Sequence, residues 1–125
     1  MRKASSLGAE VRVKGLQLQN YIYKALKERG YLVFKEYPCR ADVVFFSKNH
    51  KILFVCEVKN YVIPKNKMRK IVYRLNKKKR RVAEHFQKLG FKFNQVIPVL
   101  IAQGFERKNR RCLCFSLRNF LTFFT

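Results

Sequence analysis

Apolar positions follow two patterns along the chain, a helical period and short continuous runs, and together they predict an order of helices and strands. A period close to 3.6 residues over Leu16–Arg29 predicts an amphipathic helix. Whether this helix extends back to a cap at Ser5 or Ser6 stays open, because Gly8 and Gly15 both weaken it. Shorter apolar runs then predict three strands, at Tyr31–Tyr37, Ala41–Ser47 and Ile52–Val58.

The second half of the chain begins with a long basic helix, predicted over Lys65–Leu89 and opened by Pro64. Its apolar stripe consists of Met68, Ile71, Leu75, Val82, Phe86 and Leu89. A buried strand is predicted at Gln95–Ala102 and an edge strand at Cys112–Ser116, whereas periodicity leaves the tail Leu117–Thr125 as either helix or strand. The order of helix, three strands, helix and further strands predicts one α/β domain with a mixed central sheet flanked by helices, over residues 1–125.

The second and third strands predict a β-hairpin that brings two acidic residues together. With Asn49-His50 as its tight turn, Asp42 lies directly opposite Glu57 on one face of the sheet. Lys59, two residues beyond Glu57, points to the same face. The rest of the hairpin is apolar on both faces, so the two carboxylates repel each other and are costly to desolvate. A divalent cation such as Mg²⁺, which takes one or two carboxylates, carbonyls and waters, offsets that cost.

A plainer alternative is that both acidic residues flank the end of the hairpin and form ordinary ion pairs. Arg40 and Lys59 are then the partners of Asp42 and Glu57. This alternative is the weaker one, because isolated buried ion pairs seldom add stability.

The net charge indicates the kind of partner. The chain has 29 Lys and Arg against seven Asp and Glu, for a formal charge of +22 at pH 7. So large an excess repels itself and is tolerated where a polyanion neutralises it. Nucleic acid is the first candidate, since phosphate neutralisation supplies affinity that does not depend on sequence. An anionic membrane ranks far lower, because no predicted helix joins a basic face to an exposed apolar stripe.

The termini, the apolar runs and the cysteines indicate an intracellular protein. The first fifteen residues carry charge but lack the apolar segment of a secretory signal, and Val96–Ala102 is too short to span a bilayer. The cysteines lack the paired spacing of zinc sites, so we interpret those in apolar runs as buried thiols. The four are Cys39, Cys56, Cys112 and Cys114.

The string Ala41-Asp42, fourteen residues, then Glu57-Val58-Lys59 resembles the signature of the PD-(D/E)XK nuclease superfamily. The resemblance covers about Lys14 to Ala102 and includes the strand–turn–strand hairpin between two helices. It implies a restriction-endonuclease-like core and metal-dependent hydrolysis of phosphodiester bonds. Asp42, Glu57 and the carbonyl of Val58 are then expected to hold Mg²⁺ or Mn²⁺, with Lys59 orienting the attacking water.

Within that superfamily the pattern is most similar to archaeal Holliday-junction resolvases. The string at residues 57–61 also resembles nuclease-related domains and Mrr-type restriction enzymes, so the subfamily stays open. Lys14-Gly15 resembles the pair that opens their first helix, which implies a role for Lys14 in contacting nucleic acid. Resolvases place a metal-supporting Glu four residues after that glycine, where this chain has Gln19. Gln19 can still accept a hydrogen bond from a metal-bound water. Glu10 is the alternative source of the missing carboxylate, so either residue remains a candidate for completing the site.

The basic face of the second helix is expected to contact phosphates without reading bases. Its candidate residues are Arg69, Lys70, Arg74, Lys77 and Lys78. The first functional hypothesis is a Mg²⁺-dependent endonuclease, acting on branched or duplex DNA. The alternative is a nuclease fold with weakened or lost activity that only binds DNA or RNA, and the glutamine at position 19 favours it. A third, a basic RNA-binding protein without catalysis, leaves the carboxylate pair unexplained.

The Phe-rich tail bears on assembly. Its aromatic residues are Phe115, Phe120, Phe123 and Phe124. We interpret them as the last piece of the core, with a homodimer face as the alternative.

Overall fold

The structure is a computed structural model that describes the backbone of residues 2–125 and the side chains of residues 15–125. The helices are α1 (Arg2–Glu28), α2 (Lys65–Lys88) and α3 (Leu117–Phe124). The strands are β1 (Val33–Lys35), β2 (Val43–Phe46), β3 (Ile52–Val58), β4 (Val62–Ile63), β5 (Gln95–Ala102), β6 (Gly104–Phe105) and β7 (Leu113–Ser116). No helix in this described part of the chain is both long and apolar enough to cross a membrane.

The central sheet has five strands in the order β1-β2-β3-β5-β7. β1, β2 and β3 are antiparallel to one another, whereas β5 is parallel to β3 and β7 is parallel to β5. α2 is the crossover between β3 and β5, as parallel pairing requires. The predicted α/β class, with a mixed sheet flanked by helices, is confirmed.

The predicted elements differ from the observed ones mainly at their ends. β3 and β5 have the predicted bounds, and β7 is the predicted edge strand. α1 continues back to Arg2, so the glycines in its first half do not end it. β1 ends at Lys35 because Glu36 adopts a left-handed φ of 54°, which a continuing strand does not accommodate. The two-residue strands β4 and β6, which pair in parallel beside the main sheet, were not predicted.

The hairpin register is the predicted one, but its turn is different. Val43 pairs with Cys56 and Phe46 with Leu53, so Asp42 falls opposite Glu57. The turn is not a two-residue Asn49-His50 loop. His50 donates its N–H to the Ser47 carbonyl at 2.7 Å, so Lys48 and Asn49 are the central residues of the turn, and His50 follows with a left-handed φ of 61°. The four-residue connection 48–51 preserves the register.

Strand alternation divides the core into two layers, one on each face of the sheet. On the α2 face, Val44, Phe46, Leu53 and Val55 pack against the buried side of α2. On the opposite face, the other strand side chains pack against Ile22 and Leu26 of α1 and Phe120 and Phe124 of α3. These strand residues are Val43, Phe45, Phe54, Cys56, Val99 and Ile101.

The apolar stripe of α2 is confirmed except at Ile71, which is half-buried, and at Leu89. Met68, Val72, Leu75, Val82 and Phe86 are the buried residues of the helix. Leu89 is 59% exposed because it caps the helix and the chain then turns at Gly90, whose φ is +92°. Val72, one position after the predicted Ile71, is the residue that is fully packed.

The tail is a helix, because the Ser116 Oγ accepts a hydrogen bond from the Asn119 N–H and so caps α3. Phe120 and Phe124 belong to the core, as interpreted from the sequence, whereas Phe123 is 71% exposed. Homodimer formation through this tail stays a prediction.

Phe46 lies at the centre of an aromatic cluster with Phe86, Phe91 and Phe93, with ring centroids 5.1 to 6.0 Å away. We expect Phe46→Ala to lower the free energy of unfolding by about 3–5 kcal/mol, since it removes a fully buried ring and leaves a cavity. Urea denaturation measures the loss. Phe123→Ala, the same change at an exposed ring, is the control and should cost well under half as much. Equal losses for both would contradict this account of the core.

Candidate functional site

The candidate site lies where β2 begins and β3 ends, on the face of the sheet that α2 covers. Asp42 directly precedes β2, and Glu57 is the penultimate residue of β3. Asp42 Oδ2 accepts a hydrogen bond from the Val58 N–H at 2.8 Å. Position 42 continues the hairpin ladder as a non-hydrogen-bonded pair with position 57, the kind in which facing side chains approach most closely. The predicted juxtaposition of the two carboxylates is therefore present.

Glu57 is held by two lysines. Its Oε1 lies 3.2 Å from Lys59 Nζ, and its Oε2 lies 3.7 Å from Lys78 Nζ on α2. These are the ion pairs found among the described side chains, and neither includes Asp42. The ion-pair alternative therefore holds for Glu57 and Lys59 but not for Asp42 and Arg40. Arg40 is exposed and adopts a left-handed φ of 58°.

Asp42 is the member of the pair whose ionised form is destabilised by its surroundings. Burial, and then the nearby charge of Glu57, raise its pKa from 3.8 to about 6. The hydrogen bond from Val58 and the charges of Lys78 and Lys59 act in the opposite direction but do not cancel the rise. Because this pKa is raised in the folded state, ionisation of Asp42 lowers the free energy of unfolding of the protein, and a bound cation would recover that loss.

The donor set suits a hard divalent cation. In a strand, the N–H and C=O of one residue point to the same neighbour, so the Val58 carbonyl lies on the Asp42 side together with its N–H. Two carboxylates and one carbonyl are oxygen ligands, the kind that Mg²⁺ and Mn²⁺ prefer. Among the described residues no group of three or more His, Cys, Asp or Glu gathers anywhere. Water or substrate phosphate would have to complete the coordination, as is usual for Mg²⁺.

The first helix contributes less than the resemblance implied. Gln19 is buried, and its Oε1 has no hydrogen-bond partner in the described structure. Its neighbours Gln17 and Tyr21 line a pocket together with Asn60, the residue after Lys59, so α1 passes close to the end of β3. No hydrogen bond joins Gln19 to Asp42 or Glu57. The side chains of Glu10 and Lys14 lie outside the described residues.

Lys78 is predicted from sequence only as part of the phosphate-contacting face, whereas the structure places it at Glu57. The helical periodicity of the sequence already indicates that Lys78 faces the sheet. Position 78 falls between Leu75 and Val82 on the buried stripe of α2, where a lysine interrupts an otherwise apolar row. A cation at such a position needs an anionic partner, and the carboxylates are the anions on the face of the sheet below.

The other basic residues of α2 separate into two groups. Arg69, Lys70 and Lys77 line an open groove between α2 and the segment before β7. Arg74 is exposed but lies outside that groove. The predicted basic face is thus present on the helix, and most of it faces the groove.

Two of the cysteines form a close pair of thiols. Cys112 and Cys114 lie on the same face, with their Sγ atoms 3.7 Å apart. Their mutual hydrogen bond is the main cause that lowers the pKa of Cys114 to about 6 and raises the pKa of Cys112. Cys56 is buried, as interpreted from the sequence, and Cys39 is exposed.

Comparisons with protein-family models, curated proteins and solved structures found no match to this chain. The resemblance to PD-(D/E)XK nucleases therefore rests on the residues of the hairpin and on their arrangement.

The raised pKa of Asp42 predicts how stability depends on pH. Because the folded pKa lies above the unfolded value, stability should fall as pH rises from about 4 through 6 and then level off. At about 1.4 kcal/mol per pKa unit, the full loss is on the order of 3 kcal/mol. Asp42→Asn keeps an oxygen for the Val58 N–H but cannot ionise. The variant should match the wild type at pH 4 and be more stable at pH 7.

Urea denaturation in EDTA across this pH range measures the difference. Glu84→Gln, the same neutralisation at an exposed carboxylate of α2, is the control and should give a difference that hardly changes with pH. An Asp42→Asn curve that runs parallel to the wild type at every pH would contradict the strained carboxyl.

Proposed function

We propose that this protein is a metal-dependent nuclease that hydrolyses phosphodiester bonds, with DNA as the expected substrate. The observation that carries the proposal is the pair Asp42 and Glu57, facing each other at the end of a central hairpin with Lys59 beside them. A net charge of +22 supports a polyanionic substrate. The residues and their order also resemble the PD-(D/E)XK pattern.

Each residue of the site has a separate role in this proposal. Asp42, Glu57 and the Val58 carbonyl would hold the cation, which when bound supplies positive charge beside the scissile phosphate and a more acidic water. Lys59 Nζ, 3.2 Å from Glu57 Oε1, would orient the attacking water and stabilise charge developing on the phosphoryl oxygens. Lys78 holds the Glu57 carboxylate in place from α2. Hydrolysis then joins the water oxygen to phosphorus and releases the sugar oxygen.

The second candidate is a nuclease-like module that binds nucleic acid without cutting it. The engagement of Glu57 by two lysines favours it, because internal cations already neutralise one of the carboxylates. Glutamine at position 19, where resolvases have glutamate, points the same way. Binding without cleavage in Mg²⁺ and in Mn²⁺ would establish this second function.

Cleavage should depend on both carboxylates. With plasmid, linear duplex, four-way-junction, single-stranded and RNA substrates in Mg²⁺, we expect Asp42→Asn and Glu57→Gln each to lower the cleavage rate by at least about 100-fold, and EDTA to abolish it. Lys59→Met should have a similar effect, since it removes the donor to the reacting phosphate. Binding in EDTA should persist in all three variants.

Glu84→Gln is the matched control and should cleave like the wild type. Cleavage at the wild-type rate by Asp42→Asn would overturn the assignment of the site.

Gln19→Glu tests whether α1 supports the site. If the buried Oε1 lies near the cation, a carboxylate there should lower the Mg²⁺ concentration needed for half-maximal cleavage, and should increase the thermal stabilisation that Mg²⁺ provides. Gln17→Glu adds the same charge at an exposed position on the same helical turn and should change neither. Identical metal dependence in both variants would exclude α1 from the site.

A further inference from the structure

A groove runs along the outer side of α2, and a second wall faces it from the segment 107–111 before β7. Its volume is about 1330 Å³, above the usual range of ~300–1000 Å³ for small-molecule pockets. The helix wall carries Lys65, Arg69, Lys70, Lys77 and Arg80. The facing wall carries Arg107, Lys108 and Arg111, and the lining that the structure describes contains no acidic residue. Such a groove matches an extended polyanion rather than a compact metabolite.

Hydrogen bonds tie the two walls together at both ends. The Lys65 N–H at the start of α2 donates to Glu106 Oε1 at 2.8 Å. Further along, the Asn76 side-chain amide donates both to the Val72 carbonyl of its own helix and to the Arg111 carbonyl across the groove, at 3.0 and 3.2 Å. The backbones of the two walls are therefore held at a fixed spacing, which lowers the entropic cost of binding a charged strand between them.

Tyr73 adds an aromatic platform to this basic groove. Its side chain is 59% exposed, whereas Met68 and Val72 beside it are buried in the core. Lys77 Nζ lies 5.0 Å from the centre of its ring. An exposed ring among cations is the combination with which proteins bind single strands, because the ring stacks on an unpaired base while the cations contact phosphates. A base inside a duplex is already stacked and does not present that face.

We propose that this groove binds a single-stranded stretch of nucleic acid, with an unpaired base stacked on Tyr73. The proposal rests on the proposed function in that it specifies the substrate, as a strand that contains unpaired nucleotides. Lys77 in the groove and Lys78 at Glu57 are consecutive residues of α2, so the same helical turn borders both the groove and the candidate site, with the two side chains leaving the helix about 100° apart.

The test measures binding in EDTA, so it does not depend on cleavage. Fluorescence anisotropy would compare a labelled oligothymidylate, an oligouridylate, an abasic oligomer of the same length and a duplex. We expect Tyr73→Leu to weaken binding of the base-containing single strands by roughly tenfold and to leave abasic and duplex binding unchanged, whereas Tyr73→Phe should retain wild-type affinity. Tyr21→Leu is the matched control, since Tyr21 is also 59% exposed but lies on α1.

The contribution of the basic side chains of the groove is tested with a separate pair of variants. Neutralising Arg107 and Lys108 with glutamine should weaken every strand and reduce the slope of log affinity against log salt by roughly 0.7 for each phosphate that is no longer neutralised. Neutralising Lys24 and Lys88, which are exposed outside the groove, removes the same charge and should leave the slope nearly unchanged.

Several outcomes would overturn the groove proposal. One is unchanged affinity in Tyr73→Leu, and another is equal weakening of base-containing and abasic oligomers. A third is a salt slope that falls equally in both charge variants. Competition by phosphatidylserine vesicles that depends on Tyr73 would reassign the groove to a membrane surface. An oligodeoxyuridylate, which differs from the oligouridylate in the sugar alone, assigns the sugar, and the proposal holds for either.

The two proposals can fail independently. Loss of cleavage in Asp42→Asn with Tyr73-dependent binding intact supports both. Cleavage by the wild type that is lost in Asp42→Asn, together with normal binding by Tyr73→Leu, overturns the groove alone. Tyr73-dependent binding by a wild-type protein that never cleaves overturns the nuclease alone.

Discussion

The arrangement of the site depends on one unfavourable contact, the approach of Asp42 to Glu57 across the end of the hairpin. The β2–β3 register sets that approach, and the hydrogen bond from Val58 to Asp42 holds it in place. Lys59 and Lys78 compensate Glu57, but Asp42 keeps a raised pKa. Stability alone would select an apolar residue at position 42 in such a place, and the proposed catalytic role accounts for a carboxylate there.

α2 contributes to both the candidate site and the basic groove. Its buried side completes one core layer, and Lys78 on that same side reaches the carboxylate pair. Its outer side forms one wall of the basic groove. A rigid helix therefore fixes the position of the groove relative to the site, which a pair of flexible loops would not do.

Sequence periodicity predicted the fold because most elements have a strong pattern. β3, β5 and α2 were located to within one residue. The hairpin register was predicted from a two-residue turn at Asn49-His50, and it is correct because the observed connection 48–51 has the same centre. The carboxylate pair followed from that register. What the sequence did not reveal depends on contacts between distant segments. Examples are the hydrogen bond from Asn76 to Arg111, the pairing of β4 with β6 and the approach of Lys78 to Glu57.

The attachment of the segment 107–111 has a consequence for how this protein can diversify. Glu106 and Arg111 are its fixed points, and the side chains between them contribute no large buried residue to either core layer. Under the two proposals, replacing the exposed residues Arg107, Lys108 and Arg110 would alter which strands are captured without disturbing the core, whereas Asn109 accepts a hydrogen bond from the Arg111 N–H and is best kept. If both proposals hold, ligand preference and catalysis would be separable traits in this architecture, and a short stretch of surface residues would be the place to exchange one specificity for another.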